Sequence, residues 1–168
     1  MKTSMVIKDA IWSQFGAALM MLENAIDMCP DEHWDASSRI WYHAYHCVFW
    51  TDYYLTLNPS QFTPPEPYTL SEFDPSGVMP DRIYTKKELV AYLNFCESKA
   101  NQLIFSRSED QWSQSYKKGN KNFSVIELLI YNLRHIQHHA AQISMLLRQN
   151  IDSAPKWVSQ AKKHTLND

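Results

Sequence analysis

Three histidines lie within five residues of one another near the end of the chain, in the segment Asn132–Ile143, which reads NLRHIQHHAAQI. Residues four positions apart lie on the same face of a helix, so His135 and His139 would be neighbours, whereas His138 would lie outside that face. Neutral imidazole is a common ligand of zinc and other transition metals. The spacing therefore predicts that His135 and His139 are two ligands of one metal ion.

An aromatic segment earlier in the chain contains a candidate for the third metal ligand. On a helix, His46 would share one face with Tyr42, Phe49 and Trp50. A lone inward histidine is more often a core residue, but three inward histidines can satisfy their polar atoms through one shared ion. We expect His46 to be the third ligand. His43, about 60° round the same helix, remains the alternative.

Four long segments with the apolar period of a helix account for most of the chain. They run over about residues 6–28, 38–57, 85–105 and 125–149. Thr85 and Glu88, like Ser124 and Glu127, have the capping-box spacing that begins a helix. No segment has a convincing strand pattern. The sequence predicts an all-α protein, a four-helix bundle that forms a single domain over residues 1–168.

The connections between these helices differ greatly in length. Residues 31–37 form a short connection, which predicts that the first two helices are antiparallel neighbours. Residues 58–84 contain six prolines and predict a long, stiff, non-helical connection between helices two and three. It is either a lid over a site or a crossover along the bundle. A single turn is expected at 108–112, a polar loop after it, and a short surface helix over Pro155–Lys163.

Whole-chain properties exclude several classes of protein. A hydrophobic share of 45% and only three glycines disfavour disorder and turn-rich β-sandwiches. A formal net charge of −2 gives no general attraction for nucleic acid or an anionic membrane, and we expect neither as a partner. Cys29, Cys47 and Cys96 are odd in number and far apart in the sequence, with no Cys-x-x-Cys pair, which disfavours a disulfide framework and favours a reducing compartment. No uninterrupted apolar run approaches the roughly 18 residues that cross a bilayer. We therefore expect a cytoplasmic protein.

Helix two is apolar on two opposite sides, which has two explanations. Tyr42, His46 and Phe49 lie on one side, and Ala44 and Val48 lie roughly opposite. Such a helix is either central in the fold or covered by a partner chain. The second explanation predicts a homodimer.

The motifs on helices two and four resemble a known family. Residues 46–55 read His-x-x-x-Trp-x-Asp-Tyr-Tyr-Leu, and residues 135–143 read His-x-x-His-His-x-x-Gln-Ile. Over essentially the whole chain they resemble the DinB/YfiT-like superfamily. The resemblance implies a variant of the up-and-down four-helix bundle with a divalent metal, often nickel or zinc, on His46, His135 and His139. In much of that family Arg-Gly follows the last histidine, whereas this chain has Ala140-Ala141.

An ion on three imidazoles keeps its full charge and at least one open position, unlike structural zinc, which usually has four protein ligands. Such an ion can lower the pKa of bound water or ionise a substrate thiol. No inward carboxylate is evident, because Asp52 and Glu127 fall off the relevant faces. The resemblance implies a metal-dependent transferase of low-molecular-weight thiols, or a hydrolase, with a small-molecule substrate. The alternatives are a metal-binding, stress-associated protein without turnover and a plain bundle with core histidines.

Overall fold

The computed structural model describes residues 3–118 and 120–162, and within these ranges the chain is mostly helical. Its regular elements are six α-helices, two 3-10 turns and one β-hairpin. In chain order they are α1 (Thr3–Met28), α2 (Asp31–Trp34), α3 (Ile40–Leu55), 3-10 turns at Pro59–Gln61 and Ser71–Phe73, α4 (Lys86–Ser106), α5 (Glu109–Trp112), β1 (Ser115–Lys118), β2 (Lys121–Ser124) and α6 (Val125–Ile151). The prediction of an all-α protein is confirmed, and the single turn expected at 108–112 is α5.

The four long helices pack in a ring around one hydrophobic core. Helix α6 packs against α1 and α3, and α4 packs against the same two helices, whereas α1 and α3 touch only slightly. The prediction that the first two long helices are close neighbours was therefore wrong. Their connection contains α2, whose buried Trp34 donates its indole N–H to the carbonyl of Tyr84 at 2.9 Å. This bond anchors the connection beside the start of α4.

Helix α1 is unusually apolar. Its stretch Met5–Met28 has a mean hydropathy of 1.2 over its most apolar window, and by length and composition alone it could cross a membrane. A search for uninterrupted apolar runs does not find this stretch, because scattered charged residues divide it. Phe15, Leu22 and Ile26 on this helix are fully buried in the core of the bundle, which accounts for the apolar composition. The cytoplasmic location stays a prediction.

Aromatic side chains attach the proline-rich connection to the helices beneath it. Tyr68 stacks on Tyr92 of α4 with ring centres 4.2 Å apart, and Phe62 and Phe73 make edge-to-face contacts with Phe49 of α3. The connection thus covers the side of α3 that does not face α4 and α6. A central position explains why α3 is apolar on two sides, and the homodimer stays a prediction.

The hairpin was not predicted. Strands β1 and β2 pair antiparallel, from Ser115 opposite Ser124 to Lys118 opposite Lys121. Each strand has only four residues, and most of them are polar, so the sequence has the composition of a loop. Tyr116, which is 3% exposed, supplies the buried side chain that holds the hairpin against the bundle.

The C-terminal segment over residues 153–162 is not helical, so the predicted surface helix was wrong over Pro155–Lys162; Lys163 lies outside the described residues. The segment runs along α1 instead. The amide of Ala161 donates to the carbonyl of Ser13 at 2.9 Å, and the indole of Trp12 donates to the carbonyl of Lys162 at 3.1 Å. These bonds to α1 replace the internal bonds that a helix would have made.

Gly16 permits the close approach of this segment to α1. A Cβ atom added at Gly16 would lie 2.7 Å from the Cβ of Ala161, closer than two carbon atoms pack. Gly16→Ala is therefore expected to displace the segment, although alanine favours a helix by about 1 kcal/mol over glycine. Trypsin cleavage after Lys156, followed by mass spectrometry, should be faster in the variant. Adding Ala161→Gly should restore the slow cleavage; unchanged cleavage in the single variant would contradict this packing.

Candidate metal site

Three histidine rings meet between α3 and α6. The ring centre of His46 lies 4.8 Å from that of His139 and 5.8 Å from that of His135, and the last two are 4.6 Å apart. The amide of Asn132, which donates to the carbonyl of Thr51 at 3.0 Å, ties the two helices together one turn away. The structure thus brings together the three histidines that the spacing selected.

The two other candidates on these helices lie outside this cluster. Among the ring contacts of residues 3–118 and 120–162, His43 has none with His135 or His139. His138 is exposed, although its ring centre is 5.1 Å from that of the adjacent His139. The cluster therefore consists of His46, His135 and His139.

The separation of the rings suits a shared ion, but their nitrogen atoms do not converge. Zinc binds imidazole nitrogen at about 2.0–2.1 Å, and tetrahedral ligation would place the ring centres about 5 Å apart. The observed range of 4.6 to 5.8 Å brackets that value. No three His, Cys, Asp or Glu side chains in the described part of the chain already form a group able to hold a metal ion. An ion would therefore require the rings to turn within the cluster.

The orientation of His46 is set by a carboxylate. Its Nδ1 lies 2.6 Å from Oε2 of Glu72, and the indole N–H of Trp50 donates to the same oxygen at 2.9 Å. The Glu72 side chain is only 4% exposed. Burial alone would raise the pKa of Glu72, but hydrogen bonds from His46, Trp50 and Tyr42 outweigh it and lower that pKa. An ionised carboxylate only accepts, so Nδ1 of His46 is the donor, and Nε2 is the nitrogen that remains to bind an ion.

Glu72 was missed in the sequence, where no carboxylate was expected at the site. That expectation was wrong because it considered helix faces, and Glu72 comes from the 3-10 turn Ser71–Phe73 of the proline-rich connection. The one signal for it was the length of that connection, because long ordered loops are commonly functional. Asp52 was correctly excluded: its carboxylate pairs with Lys99 and Tyr92 of α4.

His135 is neutral and has one nitrogen engaged. Its Nε2 lies 3.3 Å from the carbonyl oxygen of Cys47, which can only accept, so Nε2 donates and Nδ1 keeps the lone pair. Burial, with added repulsion from His46, lowers the pKa of His135 to about 4. A ligating histidine commonly donates its second N–H to a carboxylate or a backbone carbonyl, and His46 and His135 both do so here.

His139 has an unsatisfied nitrogen. Its Nδ1 is buried and has no hydrogen-bond partner among the described residues. Burial, followed by the proximity of His135, lowers the pKa of His139 to about 3, so the ring is neutral near pH 7. Buried polar atoms without a partner are uncommon because they cost free energy. A cation bound between the rings would remove that cost, so the residues present fit a metal ion.

These features define an all-α protein with a cluster of three imidazoles between two neighbouring long helices. A family model described as the DinB superfamily matches residues 14–143. Because this range covers most of the chain, the chain belongs to the DinB superfamily, as the motifs on α3 and α6 predicted. Comparison with curated proteins and with solved structures gave no match.

Proposed function

We propose that this protein is a metal-dependent enzyme that binds one divalent ion, nickel or zinc, on His46, His135 and His139. The observation that carries the proposal is the buried Nδ1 of His139, which has no hydrogen-bond partner within residues 3–118 and 120–162 and belongs to a ring beside two other imidazoles. The bonds to Glu72 and to the carbonyl of Cys47 support it, because each engages one ring nitrogen and leaves the other to bind the ion.

A divalent ion with an open position would supply Lewis acidity, which ionises a bound water or thiol near neutral pH. The protein's own groups hold and orient the ligands of the ion. Glu72 accepts a hydrogen bond from Nδ1 of His46, and the carbonyl of Cys47 accepts one from Nε2 of His135, so each acceptor fixes the orientation of a ring. The proposed reaction is transfer of a low-molecular-weight thiol to an electrophile, or hydrolysis of a small molecule.

A second candidate is a metal-binding, stress-associated protein without turnover. The carboxylate of Glu72 favours this candidate, because it accepts bonds from both His46 and Trp50 and is not free to act as a general base. The two candidates share the metal site and differ in whether substrate is converted.

Metal analysis and an activity screen test the proposal in sequence. Protein purified without a histidine tag should contain close to one equivalent of nickel or zinc per chain. That protein is then incubated with small thiols and electrophiles, before and after chelation. Turnover that chelation abolishes and the ion restores supports an enzyme. Bound metal without turnover favours the second candidate, and absence of metal after growth with nickel and zinc contradicts both.

Glu72→Gln is expected to weaken metal affinity by about 10- to 100-fold while leaving the helical content unchanged. The amide is neutral, so it holds the Nδ1 proton of His46 more weakly. Affinity is measured by competition with a coloured chelator. Glu66→Gln is the matched control, since Glu66 is an exposed residue of the same connection. Equal affinities for the two variants would show that Glu72 does not support the site.

A further inference from the structure

A small pocket adjoins the histidine cluster on the side of the hairpin. Its volume is about 280 Å³, and α3, the turn Ser71–Phe73 and the hairpin contribute its walls, which are Trp50, Tyr53, Tyr54, Phe73, Tyr116, Asn120 and Lys121. The ring of Tyr54 lies 5.8 Å from that of His135, and the ring of Trp50 lies 6.3 Å from that of His46. Two wall residues of the pocket thus contact histidines of the proposed metal site, and the pocket has room for a molecule of one or two rings.

The walls of this pocket select flat rings. Five of its seven lining residues are aromatic, and Trp50 meets Tyr53 at 5.3 Å and Phe73 at 5.5 Å in edge-to-face contacts. Aromatic rings gain about 0.5–1.5 kcal/mol per well-oriented pair beyond the burial of their area. An aromatic ligand would thus gain more here than an aliphatic ligand of equal size.

The pocket also has a cation at its edge. The ammonium of Lys121 lies 5.2 Å from the ring centre of Tyr54 and 5.3 Å from that of Tyr131. Within residues 3–118 and 120–162, no carboxylate lies close enough to Lys121 to form an ion pair. Aromatic faces attract a cation without neutralising it, so the charge of Lys121 remains available to an anion.

One hydroxyl group among the lining residues lacks a hydrogen-bond partner within the described part of the chain. Tyr116 is 3% exposed and lines the pocket, and its hydroxyl is buried with no hydrogen-bond partner in the described part of the chain. A buried donor without an acceptor costs about 1–3 kcal/mol. An acceptor group brought by a ligand would relieve this cost. The lining of the pocket thus includes an ammonium and a hydroxyl donor that an anionic group of a ligand could engage.

We propose that this pocket binds an aromatic carboxylate, with the rings of the ligand between the aromatic walls and its carboxylate at Lys121. The identification of this ligand as a substrate rests on the function proposed above. Its binding does not, because none of the pocket residues is a proposed metal ligand. The inference therefore specifies the substrate class of the histidine site: an aromatic acid, or an electrophile that carries one.

Calorimetric titration of metal-free protein with 2-naphthoate tests the proposal. Two matched probes each remove one feature of the ligand: 2-naphthamide has the same rings without the charge, and decalin-2-carboxylate has the charge without aromatic rings. We expect 2-naphthoate to bind about tenfold more tightly than either probe. The proposal would be overturned if the three compounds bound with equal affinity. It would also be overturned if 2-naphthoate did not bind at millimolar concentration.

Lys121→Met should weaken 2-naphthoate binding about tenfold and leave 2-naphthamide binding unchanged. Lys117→Met, which removes an exposed lysine of the same hairpin, should change neither affinity. Unchanged 2-naphthoate binding in Lys121→Met would overturn the proposal. Metal uptake is measured on the same preparations after nickel or zinc is added: naphthoate binding without metal uptake refutes the metal site alone, and metal uptake without naphthoate binding refutes the pocket alone.

Discussion

Replacing His139 with alanine is expected to abolish stoichiometric metal binding while leaving most of the helix intact. His139 lies within 5 Å of both partner rings, and its neutral imidazole is one of the three proposed ligands. Removal of a ligand should lower metal affinity by more than about 100-fold, which is the upper limit for a residue that only supports a ligand. Stability should change little, because the variant also removes a buried nitrogen that has no hydrogen-bond partner among the residues that the structure describes. Metal content after dialysis and circular dichroism measure the two effects.

The same loss is expected for His135→Ala, and His138→Ala is the matched control. His138 is adjacent to His139 in sequence but exposed, so the control should keep nearly the full metal content. Two outcomes would contradict the assignment: retention of metal in both the His135 and His139 variants, or an equal loss in the His138 variant.

Replacing Asp52 with alanine should lower the free energy of unfolding by about 3 kcal/mol. Asp52 is 1% exposed and accepts bonds from the ammonium of Lys99 at 2.5 Å and from the hydroxyl of Tyr92 at 2.9 Å. Without the carboxylate, Tyr92 has a buried hydroxyl to satisfy and Lys99 loses its counter-charge. The side chain of Lys99 is 28% exposed, so water can solvate its ammonium in part. The expected loss of stability is therefore at the low end of the roughly 3–5 kcal/mol found when a buried ion pair is broken.

Urea denaturation of the Asp52 variant gives this free energy. Arg82 and Glu88 form an exposed pair at 2.6 Å, so Arg82→Met serves as the control and should cost less than about 1 kcal/mol. Metal content should not change in the Asp52 variant, since its carboxylate bonds to α4 and not to the histidines. A loss below 1 kcal/mol, equal to that of the control, would show that the Asp52 interaction adds little to stability.

The parts of the structure that could be predicted depend on helical periodicity and local sequence. The period of the helix fixed which side chains share a face, so His135 and His139 could be separated from His138 without coordinates. Capping is equally local: Thr85 and Glu88 make both bonds of the predicted box at the start of α4. For the same reason α6 begins directly after Ser124, as predicted, although it ends at Ile151 rather than near 149.

The parts that could not be predicted depend on contacts between distant residues. Glu72 reaches His46 because Phe62, Tyr68 and Phe73 anchor the proline-rich connection on the helices, and no local pattern encodes that path. The C-terminal segment is extended because its backbone bonds to α1, about 150 residues earlier in the chain. A carboxylate on a loop therefore cannot be assigned to a site from helical periodicity alone.

Anomalous diffraction tests the metal site most directly. Crystals of protein loaded with zinc or nickel would be measured above and below the absorption edge of the metal. One anomalous peak per chain is expected, bounded by the rings of His46, His135 and His139. An anomalous map without a peak among these rings, or with the metal bound only at other residues, would contradict it.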